Sequence, residues 1–427
     1  MFHLTSTARV LGIALVGASV ACSDATIPTS PVALGSAGRT TASVSEGRGV
    51  FQRYAAIGTS VSMGWASDGG YAAAQVDAWP AQLARMAHRE MTLPLIGGEG
   101  CQAPLAAPLI SFRRTNGRSV ADPRGSNPCA ANEEGVVLPS QNVAIVAATT
   151  RDAIFTTPES ASDPNTAPVY ARVLGPGQSQ LTAALSQNPK IVTVELGANE
   201  VLAARNGAVT SLTPVHEWAP LYTQLVNSVA EVAKHGLLVG LTHEVATFPG
   251  FRFGSELYDD RAAFAAAFHV TVAPDCNASQ NLLFVPVRVP AAVAEGLTRR
   301  ARGFPPATLS CAGHPLPAVQ DYVLTPAEVA VIKAQLAEMN AYIAAEAARV
   351  GFAHAELEAF FGRSDLKARF SVVTLMTTGS PYGPLMSLDG IHANAAGQRI
   401  IAEAAARALD ERYGFGILTS AAMIASR

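Results

Sequence analysis

Arg53-Tyr-Ala-Ala-Ile57-Gly58-Thr59-Ser60-Val61-Ser62-Met63-Gly64 is the stretch on which the reading of the fold turns. Its first five residues alternate like a strand, and the run breaks at a Gly-x-Ser turn. A strand that ends this way can lift a serine hydroxyl onto the carboxyl edge of a parallel sheet, where sites in open α/β folds lie. Ser60 is the candidate nucleophile. Ser62 is a rival by type, but Ser60 holds the strand-turn position. An ordinary α/β-hydrolase elbow is disfavoured, because its second glycine is replaced by Ser62.

Working outward, the base that such a serine needs lies near the other end of the chain, in Asp389-Gly-Ile-His392-Ala-Asn394. Asn394 is a natural N-cap for the alanine-rich segment that follows, which predicts a helix over about 394–412. His392 then sits on the entry loop. Asp389, three residues earlier, can hold one ring nitrogen and leave the other free to take a proton. An Asp-x-x-His taken alone is most often a surface turn.

Two more segments supply hydrogen-bond donors. Asn142–Val146 reads as a strand running into Ala147-Ala-Thr-Thr, and Ile191–Leu196 reads as a buried strand ending in Gly197-Ala-Asn199-Glu200. Acyl transfer needs donors where negative charge develops on the carbonyl oxygen, each worth about 2.7–4 kcal/mol of barrier. The backbone N–H groups of Ser60 and Ala147 and the amide of Asn199 suit that role. Asn199 alone would read as a turn former. Glu195, inside an apolar strand, has no account beyond a partner across the sheet. His243, His314 and His354 read as satisfied loop or surface histidines.

In this order and spacing the four segments resemble the SGNH/GDSL hydrolase family. Its Gly-Asp-Ser-Leu block appears as Gly58-Thr59-Ser60-Val61, and its Gly-Ala-Thr block as Ala147-Ala148-Thr149. Gly-x-Asn-Asp appears as Gly197-Ala-Asn199-Glu200, and Asp-x-x-His as Asp389 and His392. The resemblance implies a serine hydrolase with Ser60, Asp389 and His392 as catalytic residues, an oxyanion hole of Ser60, Ala147 and Asn199, and no cofactor. It also implies a flavodoxin-like three-layer α/β fold, a mostly parallel sheet flanked by helices. Three positions depart from the family pattern: Thr59 for Asp, Ala147 for Gly and Glu200 for Asp. The backbone donor of Ala147 survives unless that position needs a positive φ.

The rest of the chain agrees with an exported enzyme. Hydrophobic residues make up 49% of the 427 and charged ones 15%, with a net charge of −3, so a large core is affordable and polyanion binding is disfavoured. Nucleic acid is therefore not an expected partner. Residues 1–21 read as an export signal, with an apolar stretch too short to span a membrane. Cys22 follows small residues, as in a bacterial lipoprotein signal, although Ser19 stands where Leu is usual; ordinary cleavage after Ala21 is the rival. Residues 22–49 read as a flexible tether. Membrane contact is expected only through a lipid on Cys22, and the location is then a cell or outer-membrane surface, or else the periplasm or medium. Four further cysteines form an even set with three connectivities. Local pairing, Cys101–Cys129 and Cys276–Cys311, is preferred because each pair brackets one insertion. No Cys/His spacing suggests a metal.

The hydrolase domain is expected over about 50–420, with loop-rich insertions at about 97–140 and 248–324. Strands are also expected at Met91–Leu95 and Leu237–Leu241, and helices around Trp79–His88, Pro220–Lys234 and from Thr325 to Arg349. The expected activity is hydrolysis of carboxylic esters, of lipids or acylated saccharides, through an acyl-enzyme. The competing reading is a surface binding protein on an inactive scaffold.

Overall fold

The computed structural model describes residues 49–120, 129–314 and 320–418. The segments read as signal and lipidation site lie outside the described residues, as does nearly all of the tether. Four parallel strands form the central sheet in the order β1 (Tyr54–Gly58), β2 (Ile191–Glu195), β3 (His235–Gly240) and β4 (Ala353–Glu356). β1 and β2 are buried at every position, as is β3 after His235. Continuous apolar runs of this kind belong to a parallel sheet covered on both faces.

Helices flank the sheet. α1 (Trp79–Met86) packs on α5 (Ala395–Tyr413), which lies against β3 and β4. α2 (Gln180–Ser186) covers β1, while α3 (Val215–Val232) packs on α4 (Pro326–Val350), itself against β3. The caps are those the sequence signals. Thr325 and Glu328 form a capping box at α4, and Asn394 accepts from the N–H groups of Ala396 and Gly397 at α5.

Three expectations about strands and helices need correction, besides the character of the second insertion. Met91–Leu95 forms no strand, because Pro94 has no N–H and its carbonyl is taken by the Gln75 amide. Asn142–Val146 runs parallel beside β1 through Val143 N–H to Ala56 O and Ile145 N–H to Gly58 O, yet makes only one regular bridge. There the Asn142 side chain turns back to the Ser62 carbonyl. α3 begins at Val215, a turn and a half before the expected start, with Pro220 inside it.

The insertions differ in kind. The described part of the first, about 97–140, is loop with one short 3-10 turn at Leu109–Ser111. The second is not loop-rich. It carries helices Gly254–Asp259, Arg261–Phe268 and Val285–Ala301, and a small antiparallel sheet completed by Val323–Leu324. Disulfides Cys101–Cys129 and Cys276–Cys311 form as the local pairing anticipates.

Candidate active site

β1 ends at Gly58 and the chain turns at once into a single helical turn, Ser60–Met63, whose N-cap is Thr59. The turn is tight enough that a Cβ on Gly58 would lie 2.5 Å from Ser62 Oγ. Only glycine fits there.

Beneath the turn lies Glu195, fully buried at the end of β2 and in register with Gly58. Its Oε2 accepts from Thr59 N–H (3.0 Å), Ser62 N–H (3.3 Å) and the hydroxyls of Thr59 and Ser62 (both 2.9 Å). Burial pushes the Glu195 carboxyl above its usual range, and these hydrogen bonds pull it back only in part. Ser62 is thereby committed to structure, since its hydroxyl also accepts from the Trp79 indole. That removes it as a rival to Ser60. The odd charge in an apolar strand was the sequence signal for this platform.

Ser60, His392 and Asp389 come together across more than 300 residues of chain. Ser60 Oγ lies 2.9 Å from His392 Nε2, and His392 Nδ1 lies 2.9 Å from Asp389 Oδ2. Asp389 is buried, and burial alone would raise its pKa. The facing imidazole and the N–H groups of His392 and Ile391 outweigh burial and hold it at about 2. The carboxylate also accepts from the Ser387 hydroxyl and from Asp68 N–H at 2.8 Å. An ionised carboxylate on one ring nitrogen leaves the other oriented to take a proton from the serine hydroxyl.

The donor segments leave the same sheet edge. Ile145 is bonded to Gly58, so Ala147 lies two residues past that point, as Ser60 does on β1. The Asn199 amide donates to the Ala148 carbonyl at 2.8 Å, tying the two segments side by side. An amide nitrogen carries two hydrogens, so one remains for a ligand. Ala147 has φ 60°. The position therefore needs the left-handed conformation that glycine adopts freely and alanine adopts under strain. Glu200 accepts from Thr150 N–H at 2.7 Å, docking the Thr150–Phe155 helix onto Ala198–Leu202.

Residues with no motif hold the acid–base turn. Ser67 N–H donates to Ser387 Oγ, and Leu388 N–H to Ser67 Oγ. The Asp68 side chain is gripped by Arg114 Nη2 at 2.7 Å and by the Gln102 amide, both from the first insertion. From the second insertion, Gly250 N–H donates to the Gly390 carbonyl at 2.8 Å. Gly390, at φ 70°, approaches Gly250 so closely that a Cβ would lie 2.9 Å from the Gly250 Cα. Nothing in the sequence around Asp68 or Arg114 marks them.

Among the described residues, Asp275, Cys276 and Cys311 are the group close enough to share a cation, but the two sulfurs are bonded to each other and offer no thiolate. His243 pairs with Glu356 at 3.0 Å on the surface. No described helix is long and apolar enough to cross a membrane.

The family model described as GDSL-like Lipase/Acylhydrolase matches residues 43–405, most of the chain. No curated protein matches it.

Proposed function

Because the chain belongs to the GDSL-like lipase and acylhydrolase family, whose members hydrolyse ester and acyl bonds, we propose that it is an exported serine hydrolase of carboxylic esters. The observation that carries this reading is the unbroken line from Ser60 Oγ through His392 to the ionised Asp389. His392 Nε2 takes the Ser60 proton as the hydroxyl oxygen attacks the ester carbonyl. Asp389 holds the ring and stabilises its charged form. The N–H groups of Ser60 and Ala147 and the free hydrogen of the Asn199 amide receive the oxyanion. The tetrahedral adduct collapses as His392 protonates the leaving alcohol. Water, deprotonated by His392, then releases the carboxylic acid from the Ser60 ester. Every step is served by side chains and backbone of this chain.

Export rests on separate observations: the signal-like residues 1–21 and two disulfides, which persist in oxidising compartments. Lipidation at Cys22 would make residues 22–49 a tether from a membrane surface. Mass spectrometry of the mature N-terminus tests this, since a diacylglyceryl adduct on Cys22 is expected and a free Cys22 or Ser23 terminus would refute it.

The function itself is tested with p-nitrophenyl acetate and butyrate, comparing the protein with its Ser60→Ala variant. The expected loss in kcat is roughly 10⁴–10⁶-fold. Equal rates from the two proteins would sink the proposal and leave the inactive binding scaffold.

A further inference from the structure

Ser60 and His392 form one wall of a narrow pocket on the side of the site facing α4. Its other walls are apolar: Val201 and Leu202 from the helix after β2, Val245 and Phe248 from the loop after β3, Leu336 from α4, and Phe361. Phe248 and Phe361 are buried against each other with ring centroids 4.3 Å apart. The lining's polar groups beyond Ser60 and His392 are the two threonines, Thr59 and Thr242. Both hydroxyls are engaged with carboxylates, of Glu195 and Glu358 respectively. A pocket of this composition stays dry and rejects a sugar or a charged group, while an alkyl chain gains by entering it.

Its size narrows the ligand further. The cavity volume is ≈ 30 Å³. One water-sized group needs about 10–15 Å³ by the same measure, so roughly two to three methyl- or methylene-sized groups fit. A short acyl tail fills that space. An octanoyl chain would have to displace the Phe248–Phe361 pair, which is packed into the core.

We propose that this pocket is the acyl site, that it takes short unbranched acyl groups from acetyl to butyryl, and that Phe248 and Leu202 set its limit. The proposal rests on the ester-hydrolase reading for its chemistry, but the pocket is argued from its own walls. Phe248 bounds it from the β3 loop. Leu202, half-buried, lines the pocket, so a larger side chain there takes up its space. Neither residue belongs to the serine–histidine–aspartate line.

The test measures kcat/KM for p-nitrophenyl acetate, butyrate, hexanoate and octanoate in the wild type and in Phe248→Ala and Leu202→Phe. Alongside, calorimetry follows binding of ethyl-, butyl- and octylboronic acids, whose boron accepts the Ser60 oxygen while the proton passes to His392. In the wild type kcat/KM should rise about fourfold per CH₂ up to butyrate, the gain from burying one methylene, and fall by octanoate. Phe248→Ala should move the optimum to hexanoate or beyond, and Leu202→Phe back to acetate, with boronate affinities following the same order. Thermal unfolding identifies a variant that has lost its fold, and Leu202→Phe, at a partly exposed position, carries the test if Phe248→Ala does not fold. Ser60-dependent hydrolysis with a chain-length profile that neither folded variant moves would overturn the acyl site and leave the esterase standing. Graded boronate binding that shifts in the variants, without hydrolysis of any ester, would uphold the pocket and overturn the esterase. Boronate binding that ignores chain length would refute the pocket.

Discussion

The two halves of the candidate site are supported in opposite ways. The Ser60 turn stands on the sheet itself: Gly58 ends β1, Glu195 ends the neighbouring β2, and their register puts the carboxylate under the turn. The Asp389–His392 turn has no strand beneath it. Its partners come from the Ser67–Asp68 loop, from Ser387, and from Gly250 in the second insertion. Regular secondary structure fixes the first half. The second depends on side chains and on segments stapled by disulfides. On the proposed mechanism, changes under the Ser60 turn should thus act through folding, and changes around the Asp389–His392 turn through geometry.

The strongest test of the first half is Glu195. Replacing it with Ala strands the N–H groups of Thr59 and Ser62 in the core, together with two hydroxyls. Buried groups left without partners cost about 1–3 kcal/mol each, less what the hydroxyls recover by turning. A loss of about 3–5 kcal/mol in unfolding free energy is expected, read from the denaturant midpoint. A loss below about 1 kcal/mol would show that the turn stands without its platform. Glu195→Gln sharpens the result. A carboxyl whose pKa is raised by folding stabilises most fully below its unfolded value, about 4.3, and that stabilisation is lost as pH rises through the folded value. The wild type should thus lose stability relative to Glu195→Gln as pH climbs above about 4.3. Parallel curves would show that Glu195 titrates normally in the fold. The Asp389 window lies lower and has the opposite sign: its contribution is present above about 3.9 and disappears as pH falls toward about 2.

The second half is tested by treating the two disulfides as a matched pair. They close loops with sequence separations of 28 and 35 residues, so chain entropy assigns each about 3–4 kcal/mol. Their neighbours differ. Cys101 is backbone-bonded to Gly70, next to the loop that carries Asp68, and adjoins Gln102. Cys276–Cys311 packs against Gly254 at the start of helix Gly254–Asp259. Replacing either pair with serines should lower stability similarly, while only loss of Cys101–Cys129 should lower kcat, by about tenfold with KM little changed. Arg114→Ala should reproduce the kcat loss with both disulfides intact, because it leaves the Asp68 carboxylate to the Gln102 amide alone. Equal kcat in the two serine pairs would erase the distinction between the insertions.

The same division governed what the sequence could say. Ser60, Asn199, Asp389 and His392 sit at strand ends and helix starts, where local residue patterns constrain the chain. The strand before Ser60 and the caps at Thr325 and Asn394 appear in the fold, although β1 is buried at every position rather than on one face. Asp68, Arg114 and Gly250 reach Asp389 through contacts between residues far apart in the chain, for which no periodicity exists. Glu195 falls between these cases. Its charge in an apolar strand announced a buried partner, but only the register of β1 on β2 identifies the Thr59–Ser62 turn as that partner. Helix Val285–Ala301 is masked in the sequence by Pro286 and Pro290, which suggest loop, although Pro286 stands in its first turn, where the missing N–H costs nothing.

Ala147 gives the smallest effect and the finest probe of the comparison, since it lies where the sheet-supported edge meets the loops. Its φ of 60° costs an alanine roughly 1–2 kcal/mol. Ala147→Gly removes that strain, but glycine's freer unfolded chain returns about 0.4–1 kcal/mol. Stability should rise by no more than about 1 kcal/mol. The direction of kcat is the informative part. If strain fixes the Ala147 N–H toward the oxyanion, kcat falls a few-fold in the more mobile glycine variant while stability holds or improves. If the Asn199 bond to the Ala148 carbonyl already fixes that peptide, kcat does not change. Ala147→Val distinguishes strain from mobility, because a β-branched side chain at positive φ should lower both stability and kcat.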